Sequence, residues 1–170
     1  MGYFNNKNAN NHPNSSQRHP SNYQGYQKPY TNNHSKRTVS SSQIKDYGPY
    51  PFVVDIEKIT KANSSFRRAL WTGDHLQLTL MSLLPGEDIG LEIHDDVDQF
   101  IRIEEGKGML MMGDNKDTPD FQQTVSNDYA FIIPAGKWHN LINIGAEPLK
   151  LYSIYAPKQH PAGTIQATKQ

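Results

Sequence analysis

Beyond residue 49 the apolar residues come in short bursts, and several bursts alternate apolar with polar positions. A period of two places successive side chains on opposite faces of a pleated strand. Residues 75–84 carry it most clearly, with Leu76, Leu78 and Leu80 set against Gln77 and Thr79. The pattern predicts strands over 52–56, 68–72, 75–84, 91–94, 98–103, 109–112, 121–125, 129–133, 139–144 and 149–155. Turn residues punctuate them: Gly73-Asp74, Pro85-Gly86, the run from Glu105 to Gly108, Asn127-Asp128, Ala135-Gly136 and Gly145-Ala146. Residues 58–65 are polar and read as a turn or a single helical turn, and no segment sustains a helical period. Roughly ten short strands at this spacing predict an all-β barrel or sandwich.

Residues 1–48 lack the pattern. They are dominated by Asn, Gln, Ser, Tyr, His and Pro, and Val39 and Ile44 are the only branched aliphatic residues. Such a segment buries too little apolar surface to offset the entropy of ordering it, so a disordered tail is expected. The scattered tyrosines Tyr3, Tyr23, Tyr26, Tyr30 and Tyr47 leave two readings open. One is a passive solvated tail. The other is an interaction tail that attaches the domain to an assembly such as a spore coat. His12, His19 and His34 are too far apart in the tail for a local metal site. The predicted organisation is a tail over 1–48, a barrel over 49–157 and a C-terminal extension over 158–170 lying against the outside.

Composition narrows the function. Lys+Arg and Asp+Glu each number 17, so no basic surplus points to a nucleic-acid partner. The absence of cysteine removes disulfides, thiolate metal sites and cysteine nucleophiles. No stretch reaches the length of an apolar membrane helix and no apolar leader opens the chain, so no membrane partner is expected and the expected location is cytoplasmic.

The chemistry concentrates in two stretches. In residues 91–94, Glu92 and His94 stand two apart and project to one face of a strand. His139 follows the Pro134-Ala135-Gly136 turn. In the first stretch, Gly86 is followed after five residues by Glu92-Ile93-His94, after four more by Gln99, and after six more by Gly106. In the second, Asp128 is followed after five residues by Pro134-Ala135-Gly136, after two by His139, and after three by Asn143. These spacings resemble the paired motifs of the cupin superfamily across residues 50–157.

The resemblance implies a jelly-roll barrel, a double-stranded β-helix with an open mouth. It implies one metal held at the positions of Glu92, His94, Gln99 and His139. The chain departs from the family pattern in three places: Glu92 replaces a histidine, Gln99 replaces a glutamate, and Asp128 replaces a glycine. Two imidazoles and one carboxylate remain, with an amide oxygen as a further donor. Such a set suits Fe(II) and accepts Mn, Zn or Ni. A metal-free reading stays open, with Glu92 hydrogen-bonded to Gln99 or His139.

For function the resemblance implies a small-molecule ligand and either mannose-6-phosphate isomerase-like or dioxygenase chemistry. A non-catalytic binding or structural cupin is the alternative, and homodimerisation through sheet edges is a further expectation. The run from Met109 to Met112 is read either as such a surface or as core. Phosphate binding calls for a cation facing the mouth; Arg102, between Ile101 and Ile103, is expected to point outward. Of Tyr152 and Tyr155, the spacing sends one inward. Asp98 is read either as an outer partner of a histidine or as a turn-stabilising residue, Trp138 and Phe100 as core or barrel-lip aromatics, and His75 and His160 as structural or solvated.

Overall fold

The structure is a computed structural model that describes residues 40–169. The tail histidines and the tyrosines before residue 40 lie outside the described residues. The elements in order are α1 (Ile56–Ala62), β1 (Arg67–Thr72), β2 (Gln77–Leu83), β3 (Asp98–Glu105), β4 (Lys107–Gly113), β5 (Phe121–Ser126), β6 (Ala130–Ile133), β7 (Trp138–Asn143), β8 (Leu149–Ala156) and β9 (Ile165–Gln166). One sheet runs β6-β3-β8-β2-β1-β9 and the other β5-β4-β7. Every pairing is antiparallel. The all-β jelly-roll barrel expected from the sequence is the fold. Among the described residues no helix is long and apolar enough to cross a membrane.

Register fixes what faces inward, because directly opposed residues share a face. Gln77, Tyr155 and Gln99 form one row across β2, β8 and β3, and Thr79, Ser153 and Ile101 form the next. Met81, Leu151 and Ile103 follow. The interior therefore grades from polar at one end to aliphatic at the other. The aliphatic end joins Met81, Leu83, Ile103, Leu110, Val125, Leu141, Leu149 and Leu151 in one buried cluster.

The alternation of β2 reads the opposite way from a one-sided sheet. Leu78 and Leu80 point outward, and Gln77 and Thr79 point in. The outward leucines are covered by Ile44, Tyr47, Phe52, Val54, Ile56 and Ile59, so both faces of this sheet are buried. Ile44 is only 2% exposed, so the packed chain begins inside the segment expected to be a tail. The first predicted strand is corrected here. Residues 52–54 belong to no strand, and Asp55 accepts a hydrogen bond from the Lys58 N–H at 3.1 Å to cap α1. The β-branched residues there suggested a strand, and the aspartate instead sets a helix start.

Residues 91–94 are likewise not a strand of either sheet. They belong to a broken segment laid along β7. Gly86 donates to the Asn143 carbonyl, Ile89 to that of Leu141, and Glu92 and His139 exchange both backbone hydrogen bonds at 3.1 and 2.9 Å. Isolated bridges between Asp88 and Ile142 and between Glu92 and His139 bring the two motifs together. Two turns hold this junction. Gly136, at φ 76, donates its N–H to the His94 carbonyl at 2.7 Å. The Ala135 N–H donates to Asp98 Oδ1 at 2.9 Å, which makes Asp98 the turn-stabilising residue. Asp128 keeps the backbone of the glycine it replaces, at φ 69, in the left-handed region that aspartate tolerates.

Candidate metal centre

Glu92, His94 and His139 converge at the polar end of the barrel. One donor atom from each lies within 4.8 Å of the others. Glu92 Oε1 stands 4.0 Å from His94 Nε2 and 3.9 Å from His139 Nε2. Bonds of about 2.1 Å to one ion put pairs of ligands roughly 3–4 Å apart. The three atoms thus surround a point of the right size, and a small inward movement completes it.

Their hydrogen bonding fits a cation. Glu92 Oε1, His94 Nε2 and His139 Nε2 are buried, and none has a hydrogen-bond partner among the described residues. His139 Nδ1 lies 3.0 Å from the Lys137 carbonyl. A carbonyl only accepts, so Nδ1 carries the proton and Nε2 presents its lone pair inward. Burial pulls both histidines below the ordinary imidazole range, and His94 is pulled further by His139 and Arg67. Neutral imidazoles are the form that ligates. Burial pushes the Glu92 carboxyl up, and the Arg67 guanidinium partly offsets this. Three unsatisfied buried donors aimed at one place are costly without an occupant, and a divalent ion satisfies all three.

Gln99 lies on the inner face of β3, opposite Tyr155. Its Nε2 donates to Ser153 Oγ at 2.8 Å, and its Oε1 has no partner among the described residues. Tyr155 is the inward tyrosine, buried edge-on to His94, and Tyr152 packs in the outer layer. Burial keeps the Tyr155 phenol protonated. Arg102 faces out as expected, bound to Glu104 at 3.2 Å and Asp128 at 2.8 Å. Phe100 is half-buried against Tyr152 on that outer face, and His75 is exposed.

Arg67 escaped the sequence reading, and His160 takes the structural role that was one of its two readings. Arg67 enters from β1, with its guanidinium Nη2 3.9 Å from Glu92 Oε1. The signal was the Arg67-Arg68 pair, since in a strand one of two neighbours must face in. Arg68 faces out, donating to the Ile44 carbonyl and to Ser65 Oγ. His160 arrives on the C-terminal extension, which folds across the polar end. Its N–H donates to Gln77 Oε1 and its carbonyl accepts from Gln77 Nε2, both at 2.9 Å. Its ring meets Tyr155 edge-on at 5.1 Å. Nothing local in the sequence marks this contact. A separate cavity of 530 Å3 lies on the outer sheet face, lined by Phe52, Trp71, Leu78 and Tyr152 among others. No carboxylate, imidazole or cation lines it, so it is not where this chemistry sits.

Comparison with known proteins agrees with the fold and motifs. Residues 79–155 match the family described as Cupin domain. The chain is 63% identical over 126 residues to YrkC of Bacillus subtilis (strain 168), covering 74% of this chain and 68% of that one. It is 44% identical over 119 residues to L612 of Acanthamoeba polyphaga mimivirus, covering 69% and 72%. The crystal structure of BH2720 from Bacillus halodurans superposes with a TM-score of 0.72 at 63% identity, over 73% of this chain and 94% of that one. The chain belongs to the cupin family.

Proposed function

We propose that the barrel binds one divalent metal through Glu92, His94 and His139, with Gln99 as an added oxygen donor, and acts on a small polar molecule there. The observation that carries this reading is the convergence of three buried, unpartnered donor atoms on one point. Two imidazoles and one carboxylate with open positions are the set that suits non-haem Fe(II). Of the two reactions that the family resemblance implies, this donor set supports dioxygenation over isomerisation. A divalent ion held by these residues would supply Lewis acidity at this point.

The chain's own groups do the rest. Lys137 holds the His139 tautomer through its carbonyl. Glu92 supplies the one negative charge of the donor set. Ser153 ties down the amide nitrogen of Gln99 and leaves its oxygen as the inward group. Tyr155, protonated and buried, packs its ring edge-on against His94 beside the site. Gln77 anchors the His160 backbone at the polar end through two hydrogen bonds.

The test is metal content followed by turnover. Full-length protein loaded anaerobically with Fe(II) is expected to retain about one ion per chain after desalting, and His94→Ala to retain almost none. Oxygen uptake by the loaded protein with candidate small polar molecules then tests the dioxygenase reading. Equal iron retention by both proteins sinks the metal site. Full retention without oxygen uptake on any of them leaves a binding protein and removes the oxygenase.

A further inference from the structure

Arg67 is the least expected residue at the polar end. Its side chain is only 9% exposed. Nη1 donates to Gln166 Oε1 at 3.1 Å, which pins the guanidinium plane. Nε and Nη2 are buried and have no hydrogen-bond partner among the described residues. Glu92 Oε1, at 3.9 Å from Nη2, is beyond hydrogen-bond reach. Arginine cannot shed its proton, so the charge stays in the barrel at any working pH. A buried guanidinium with two free N–H nitrogens is a costly arrangement unless an anion meets it.

The geometry names the kind of anion. Nε and Nη2 form one edge of the guanidinium, and their N–H bonds run parallel. That edge matches the two oxygens of a carboxylate or of a phosphate face. The charge count agrees. Glu92 brings one negative charge and Arg67 one positive, and a histidine ligates a metal as the neutral imidazole. A divalent ion leaves the site with two uncompensated positive charges. Such a site concentrates anions. Arg102, the arginine visible in the sequence beside the first motif, is taken up by Glu104 and Asp128 on the outer face.

Resting on the metal reading above, we propose that the molecule bound in the barrel is an oxyanion. Its paired oxygens sit on Arg67 Nε and Nη2, beside the Glu92–His94–His139 centre. Carboxylate and phosphate share this chemistry, and the arms of the experiment separate them. A neutral sugar or an amine lacks the charge that Arg67 requires.

Full-length protein loaded with Co(II), whose visible absorption reports its coordination, is titrated at fixed ionic strength. The probes are acetate, its uncharged isostere acetamide, and inorganic phosphate. Acetate or phosphate is expected to change the spectrum and saturate, with no effect of acetamide over the same range. The tighter of the two anions names the class. Arg67→Gln is expected to weaken anion binding about tenfold to a hundredfold, the loss of a charge-assisted pair. Its Co(II) affinity is expected to hold or rise, because a neighbouring positive charge is gone. Arg67→Lys keeps the charge without the paired edge and is expected to fall between. It also serves if Arg67→Gln folds poorly.

Equal affinity for acetate and acetamide overturns the proposal. So does anion affinity unchanged in Arg67→Gln. A wild-type protein that takes no cobalt overturns the metal reading instead. Calorimetry of the metal-free protein then decides the anion site alone: anion binding that Arg67→Gln abolishes supports it, and no binding overturns it.

Discussion

Gln99→Glu restores the carboxylate that the family pattern has at this position, and the structure says what it will cost. Gln99 is 1% exposed on the inner face of β3, with Ser153 Oγ as its one side-chain partner among the described residues. A carboxyl placed there must either ionise in a buried site or stay protonated. Staying protonated near pH 7 against an ordinary pKa of about 4.3 costs about 4 kcal/mol, at roughly 1.36 kcal/mol per unit. That figure is a ceiling, because the Ser153 hydroxyl can turn to donate and an ionised carboxyl that found Arg67 would cost less. A loss of about 2–4 kcal/mol is expected for the metal-free protein.

The sign is fixed. The introduced carboxyl has a folded pKa raised above its unfolded one, so the loss is absent below about pH 4 and grows as pH rises. With excess Mn(II) the same carboxylate becomes a ligand, and the loss is expected to shrink below about 1 kcal/mol or reverse. Urea unfolding of both proteins, at pH 4 and pH 7, with chelator and with Mn(II), measures all of this. A loss that Mn(II) leaves untouched would show that position 99 does not reach the ion. A loss that persists at pH 4 would show that charge is not its cause.

Other consequences follow from single groups. Asn143, 1% exposed, donates to the Leu83 and Glu147 carbonyls and accepts from the Gly145 N–H. Asn143→Ala is therefore expected to cost about 2–4 kcal/mol in urea unfolding, since it strands buried backbone groups; a loss under about 1 kcal/mol would contradict the assignment. Burial, aided by the Arg67 guanidinium, lowers His160 to about 4 from 6.5. Its folded pKa is depressed, so the wild-type protein is expected to lose stability as pH falls from 6.5 toward 4. Solvent screening at this half-exposed ring limits the loss to about 1–2 kcal/mol. His160→Gln, which cannot titrate, is expected to flatten that slope in thermal unfolding followed over the same pH range, and an unchanged slope would place the titration elsewhere.

The barrel and its motif pair were legible in the sequence because both depend on local spacing. Strand periodicity, turn residues and the intervals from Gly86 to Gly106 and from Asp128 to Asn143 survive without tertiary information. Residue direction was legible only in part. Glu92 and His94 do share a direction, yet they do so in a broken segment held to β7 by backbone hydrogen bonds that no local pattern encodes. On β1 and β2 both faces are buried, so alternation gives a period without a phase. Arg67 and Arg68 could not be told apart for that reason, and Leu78 and Leu80 turned out to face a layer built from residues 44–59. The strand expected at 52–56 lost to the capping aspartate that follows Val54. His160 reaches the site through Gln77, 83 positions earlier in the chain, a contact visible only once the chain is folded.

The claim that Glu92, His94 and His139 hold one divalent ion is tested most directly in a crystal soaked with Mn(II), with data collected near the manganese edge. The account predicts a single anomalous peak at the polar end of the barrel, about 2.0–2.3 Å from Glu92 Oε1, His94 Nε2 and His139 Nε2. A map without that peak, in which the Glu92 carboxylate has closed onto Arg67 instead, would contradict it.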